Sequence, residues 1–406
     1  MSLPGLLIFA LTYVLISARR LRWLGFDRPA GALLGAVACV VAGVLTPMAA
    51  IEAVDGATLL LLLGVMGMGA FLAVDGFFDQ LEPRLVALAV SPSRLLGLTV
   101  WGSGLLAALI TNDAVCVLGA PLIVRLIQRH SLPPLPFLLA LATGANTGSV
   151  ATLVGNPQNM LCGILGGLSY REYLLLMAPV AALGLSINHG LLWLSFRRSL
   201  AEATLSKPTA SAPIAPRALL TLSVIAGSAV AYTLGGHLAW TAAAGFVLLM
   251  LLHRRDTRAL WPHIDWSLLL FFAGLFIVVE GLTTSGAPAV FFDRFPLSAS
   301  GDGIWGWLRL SAIFLVGSNV VSNVPFILVI REQMATLPNP RLGWELLAMA
   351  STFAGNLTLL GSVANIIVAE ASHELGGLPF WPYLRVGFPL AVVTTAVGVL
   401  WVLMMT

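Results

Sequence analysis

Long apolar stretches, separated only by short polar connectors, follow one another along almost the whole chain. Runs of about 20 apolar residues are the length that carries a helix across a bilayer core. The pattern predicts membrane elements at about 3–18, 30–50, 57–77, 93–128, 134–167, 173–197, 217–235, 238–253, 265–284, 304–330, 343–371 and 382–405. Two of these, 93–128 and 304–330, are too long or too interrupted to be single helices, and each carries a polar tip: Ile110-Thr111-Asn112-Asp113 and Val321-Ser322-Asn323-Val324-Pro325. A polar tip between two apolar arms predicts a re-entrant hairpin, because non-helical backbone at that depth survives only against protein or a water-filled cavity.

Composition narrows this further. The chain is 58% hydrophobic and 10% charged, where soluble domains carry about a quarter charged residues, so a polytopic membrane protein is expected. The net charge of +3 does not point to nucleic acid, because the arginines lie in short loops and not on one face or tail. Met1 to Ser17 is apolar and the basic cluster Arg19, Arg20, Arg22 follows it, the reverse of a secretory signal, so a retained first helix is expected.

With both hairpins re-entrant, Arg19, Arg20, Arg22, Arg28, Arg84, Arg94, Arg125, Arg129, Arg197, Arg198, Lys207, Arg217, Arg254, Arg255, Arg258 and Arg385 fall on the cytoplasmic side. Only Arg171, Arg294, Arg309, Arg331 and Arg341 fall outside. That bias obeys the positive-inside rule. It implies ten crossings in the inner (plasma) membrane with both termini outside. They divide as five in residues 1–198 and five in 217–406, joined by a cytoplasmic Ser/Ala/Pro-rich linker at 199–216. An odd number of crossings per half inverts the second half. The two halves also resemble each other faintly: Leu61–Gly76 with Trp266–Gly281, Thr111-Asn112 with Ser322-Asn323, and Thr143–Asn159 with Ser351–Asn365. The expected fold is all-α: two inverted repeats of five transmembrane helices, each with a re-entrant hairpin and an interrupted helix (134–167 and 343–371). Repeats with matching interruptions point to a secondary transporter whose site lies where they meet.

Nearly all polar side chains at membrane depth belong to the two hairpin tips and the two interrupted helices. Pro157 removes a donor and disfavours helix at Asn156, so an unwound stretch there has a cause. The paired tips Thr111-Asn112 and Ser322-Asn323 are candidate substrate contacts. Asp113 is the one acid at a tip. A carboxylate at helix centre costs about 2.5–3.5 kcal/mol on insertion scales, which makes it the candidate proton carrier, with a simple helix cap as the alternative. Among the cysteines, Cys116 lies one turn past Asn112 and could touch a thiophilic solute, although free Cys usually packs in a core; Cys39 and Cys162 have no ligand spacing. Of the histidines, His189 alone looks internal. No Lys or Arg is expected near either tip, which argues against strongly anionic cargo. No GxxxxGK[ST] is present, so an ATPase partner would be a separate chain; no cofactor or resident metal is expected.

The segments TNDAVCVLGAP, GANTGSVATLVGNPQN, SNVVSNVPFILVI and AGNLTLLGSVANIIVAE resemble the ion transporter superfamily, particularly its arsenite–antimonite efflux permeases and their anion-permease relatives. The resemblance spans essentially the whole chain. It implies that the hairpins and unwound helices enclose the substrate, carrying the site to Asn112, Asp113, Asn146, Thr147, Ser322, Asn323, Asn356 and Thr358. Dicarboxylate-transporting members have Ser-Asn-Thr at both tips, whereas this chain has Thr-Asn-Asp and Ser-Asn-Val. The function expected is export of trivalent arsenic and antimony in exchange for protons. The alternatives are sodium- or proton-coupled transport of a small organic or inorganic anion, and sodium–proton exchange.

Overall fold

The computed structural model describes residues 2–17, 27–205, 213–298 and 303–406. The cluster Arg19, Arg20, Arg22 and the linker residue Lys207 lie outside the described residues.

Several helix starts combine a capping side chain with a proline just after it. Asp27 caps α2 (Arg28–Val41) ahead of Pro29, and Ser91 caps α6 (Pro92–Ile110). Asn156 caps α9 (Pro157–Leu165), and Asn339 caps α17 (Pro340–Leu357). In each, an oxygen takes one orphan N–H of the first turn and proline fills a position that needs no donor.

The first half runs α1 (Leu3–Ser17), α2, α3 (Pro47–Glu52), α4 (Gly56–Val74), α5 (Phe77–Ala89), α6, α7 (Asn112–His130), α8 (Pro134–Ser149), α9 and α10 (Tyr170–Glu202). The second runs α11 (Pro216–Thr233), α12 (Leu238–His253), α13 (Trp266–Thr284), α14 (Ala287–Arg294), α15 (Ile304–Val321), α16 (Asn323–Ile330), α17, α18 (Val363–Ala371) and α19 (Phe380–Met405). The succession of hairpin, broken helix and long closing helix therefore occurs twice. Three expectations need correction. The window 30–50 is two helices, because Gly43 takes a left-handed conformation and Thr46-Pro47 restarts the chain. Short α5 and α14, which carry charged residues, extend α4 and α13 beyond the windows drawn. The linker begins later than residue 199, since α10 continues to Glu202.

Helices of one half pack on those of the other: α2 lies against α13, α4 against α12, and α10 against α19. Within each half the descending hairpin arm packs on the broken helix, α6 on α8 and α15 on α17. The α6–α8 contact is close because glycines face each other; a Cβ on Gly148 would sit 2.2 Å from the Gly104 Cα, the small-residue contact typical of helices in lipid. Among the described residues, α4, α6, α10, α13, α15 and α19 are long and apolar enough to cross a membrane, with α1, α2 and α12 shorter but apolar. Large apolar side chains such as Leu7, Leu11, Trp240 and Leu251 stand exposed on the outside, as a bilayer solvent allows.

Candidate functional site

Both hairpins turn at one residue in a left-handed, extended conformation: Thr111 at φ 109°, ψ 145° and Ser322 at φ 72°, ψ 147°. A non-glycine residue there costs on the order of 1–3 kcal/mol and persists only where surroundings hold it. Here the Asn112 N–H donates to the carbonyl of Gly155, 2.9 Å, tying the first tip to the break between α8 and α9. The breaks are closed by asparagines in the first turn of each resumed helix. The Asn159 side-chain N–H groups donate to the carbonyls of Ser149 and Thr152, and those of Asn365 donate to Gly355 and Thr358. These bonds satisfy carbonyls that the broken helices leave exposed.

The asparagine orientations follow from those carbonyl anchors, which only accept. Because the Asn365 amide nitrogen is committed to Gly355, its oxygen accepts from Asn146 Nδ2 at 2.9 Å. Asn146 Nδ2 also reaches Asn356 Oδ1, and Asn356 Nδ2 donates to Thr147 Oγ1. The Asn146 oxygen is thereby turned to accept from Asn112 Nδ2 at 2.9 Å and from Ser362 Oγ at 3.1 Å. Asn112 Oδ1 is left buried without a hydrogen-bond partner. In the other hairpin, Asn323 Nδ2 donates to the carbonyl of Gly361, 3.4 Å, which leaves its oxygen free in the same way. Thr358 Oγ1 donates to Asn319 Oδ1.

A cavity of about 50 Å³ lies between the two tips and the two breaks, lined by Arg28, Asn112, Asp113, Gln158, Ser322, Asn323 and Ser362 and, on an apolar side, by Leu268, Phe271 and Phe272 of α13. The first residues of α7, α9, α16 and α18 all line it, so the positive ends of four helix dipoles converge on it. Three buried acceptor oxygens on its lining residues have no hydrogen-bond partner: Asn112 Oδ1, Asp113 Oδ1 and Asn323 Oδ1. Asp113 accepts from the backbone N–H of Ala364 in the first turn of α18, and its field is set by Arg28 and by Asp265.

The structure brings Asn112, Asp113, Ser322 and Asn323 to the cavity wall. Asn146, Thr147, Asn356 and Thr358 are not on the wall; they form the network behind it that holds the tips. Thr111 is the turn residue, its Oγ1 accepting from the Ala114 N–H at 3.3 Å. Cys116 is fully buried in the apolar core and off the cavity wall, and Cys39 and Cys162 are buried elsewhere. Among the described residues no group of three His, Cys, Asp or Glu could hold a metal ion.

Two expectations fail here. Arg28 does lie with the tips, as the first residue of α2; a sequence reading that places it in a loop has no means of seeing which elements that helix end faces. The most buried histidine is His253, not His189: its side chain is wholly buried, with Nε2 3.0 Å from Asp75 Oδ2 and Thr221 Oγ1 donating 2.9 Å to the same oxygen. His189 is half-buried and packs over Gly97. Gln158 and Ser362 stand on the wall too, and spacing alone did not separate them from the other polar residues of the breaks.

Two broken helices and two strained hairpins meeting at one polar cavity define a membrane carrier. The fold agrees with that of the YdaH transporter of Alcanivorax borkumensis, at a TM-score of 0.53 over 99% of this chain and 95% of that one, with 16% identity. The chain belongs to the CitMHS citrate transporter family of the ion transporter superfamily, whose profile matches residues 13–354. It is 30% identical to the silicon efflux transporter LSI3 of Oryza sativa subsp. japonica, covering 98% of each chain. It is 23% identical to a protein named arsB of Dictyostelium discoideum, covering 97% of this chain and 91% of that one. It is thus a multi-pass membrane transporter.

Proposed function

We propose that this chain exports a small, neutral, hydroxylated oxyacid, the trihydroxides of trivalent arsenic and antimony being the class, in exchange for protons. The observation that carries this reading is the trio of orphaned acceptors, Asn112 Oδ1, Asp113 Oδ1 and Asn323 Oδ1, around a cavity of about 50 Å³. A buried acceptor without a donor costs about 1–3 kcal/mol. A compact solute with several O–H groups supplies those donors, while its own oxygens accept from the helix N-termini. An anion with acceptors only would leave them unmet. The volume supports a compact solute, being only a few water-sized positions at roughly 10–15 Å³ each. A relative named for silicon efflux extends the same chemistry, since silicic acid is also a neutral hydroxide.

In this reading Thr111, Asn112, Ser322 and Asn323, with Gln158 and Ser362, contact the solute. Asn146, Thr147, Asn356 and Thr358 hold those contacts in register, and Asp113 carries the proton. The halves 1–198 and 217–406 act as inverted repeats about the cavity in the inner membrane, with both termini outside. Each proton entering draws about 2.3 kcal/mol per 100 mV from the membrane potential. A separate ATPase subunit is not required by this scheme.

A second reading, cation-coupled transport of a small anion, is favoured by Arg28 on the wall, by the four convergent N-termini and by the family's citrate name. Asp113 opposes it by offsetting the Arg28 charge. Everted vesicles under a proton gradient, offered arsenite, antimonite, silicic acid or citrate with and without sodium, separate the two. Proton-driven accumulation of a hydroxide without sodium is expected. Sodium-dependent citrate accumulation alone would replace the first reading by the second.

A further inference from the structure

The cavity between the tips is not the only space that reaches Asp113. A second one, also about 50 Å³, lies on its other side and shares Asp113, Pro157 and Leu268 with the first. Its walls are the apolar side chains of α4 and the outer face of α7, and its polar groups are Thr111, Asp113, His263 and Asp265. His263 and Asp265 are exposed and sit just before α13, where Asp265 Oδ1 also caps the helix through the Leu268 N–H at 2.9 Å. One carboxylate therefore forms part of the partition between a polar cavity and a mostly apolar chamber that leads to an exposed histidine and aspartate.

The geometry points to this chamber as the route by which Asp113 releases its proton, separate from the path of the solute, with His263 and Asp265 as its mouth on the side of Arg254, Arg255 and Arg258, read above as cytoplasmic. The assignment rests on the proton-coupled reading above. The chamber's volume takes a short file of waters at roughly 10–15 Å³ each, and its apolar walls offer an oxyacid few hydrogen bonds. The groups that face Asp113 are Arg28 at the start of α2, Cys116 one turn on along α7, His263 and Asp265 ahead of α13, and the Ala364 N–H of α18. The proton step conserves charge and atoms simply: Asp113, protonated while the solute cavity faces outside, gives its proton to a water in the file, and that water passes one to His263 or Asp265 and so to bulk water on the cytoplasmic side.

Gly69 on α4 makes the route testable, because it lines the chamber but not the solute cavity, and a Cβ there comes no nearer than 3.8 Å to Ala114. Full-length protein in liposomes is assayed for two activities: counterflow, which exchanges labelled solute for unlabelled without net proton movement, and proton-driven net transport. The probe is whichever of arsenite, silicic acid or citrate the unaltered protein exchanges. Gly69→Leu should leave counterflow unchanged and slow net transport by about 10-fold or more. His263→Gln, a change at an exposed residue, should slow only net transport, and added imidazole buffer should restore it. Equal loss of both activities in Gly69→Leu together with an indifferent His263→Gln would overturn the route while leaving the transport function standing. If the unaltered protein exchanges none of the probes, the functional reading falls and takes the route with it.

Discussion

At the scale of single residues, the three orphaned acceptors do different work, and substitutions should separate them. Asn112→Ala and Asn323→Ala each remove one oxygen from the wall and one donor from the supporting network. Loss of one hydrogen bond in a desolvated site costs about 1–3 kcal/mol, so solute affinity should fall about 5- to 150-fold, as read by equilibrium binding in detergent. Asp113→Asn keeps the size and an acceptor oxygen but removes the titrating group. Binding and counterflow should survive, while uphill transport collapses and its pH dependence flattens. Should Asp113→Asn drive normal uphill transport, Asp113 is a cap for α18 and nothing more. The remaining buried acids are then Asp75, already engaged by His253 and Thr221, and Glu345, paired with Arg341 at 3.1 Å, while Glu280 is paired with Arg331 at 2.7 Å and Glu370 is exposed.

At the scale of elements, the hairpin turns are the feature to test. Thr111 and Ser322 occupy a backbone region that suits glycine, yet neither is glycine, which suggests that their side chains or their strain are used. Glycine at either position removes the strain. At Thr111 it also loses the contact with the Ala114 N–H; Ser322 makes no such bond to the start of α16. Ser322→Gly should therefore raise the thermal midpoint in detergent more than Thr111→Gly does, by an amount equivalent to about 1–3 kcal/mol at most. An unchanged midpoint in both would mean that the tips store no strain. Each hairpin is also legible in the chain itself, because a polar triplet inside a long apolar run can stay at that depth only where the backbone turns against protein or water. The opposite holds for the asparagine network: Asn112 and Asn146 are 34 positions apart and Asn146 and Asn356 are 210 apart, so no local pattern connects them.

For the whole molecule, orientation is the open quantity that the charge bias addresses. Single cysteines placed near residue 2, near residue 406 and in the 203–215 linker should label with an impermeant maleimide from outside, from outside and from the cytoplasm, respectively. The native Cys39, Cys116 and Cys162 are buried and should contribute little background. A linker cysteine that labels in intact cells would reverse the topology and, with it, the side to which Asp113 gives its proton. The two halves interlock: α2 packs on α13 and α4 on α12, and the return arm α7 packs on α18 while α9 packs on α17.

What the chain determined alone is whatever depends on a local run of residues. Apolar length sets the helices, caps and prolines set their starts, Pro157 sets one break, and the polar tips set both turns. Tertiary packing decided everything that requires two distant segments to meet. It put Arg28 beside the tips, buried His253 against Asp75, and moved Asn146, Thr147, Asn356 and Thr358 from the wall to the layer behind it. The reason is the range of the forces involved. Backbone hydrogen bonding and insertion into an apolar solvent act within one element, whereas the partner of a buried polar side chain is chosen only when helices from both halves pack, and an unpaired choice at that depth costs several kcal/mol per group.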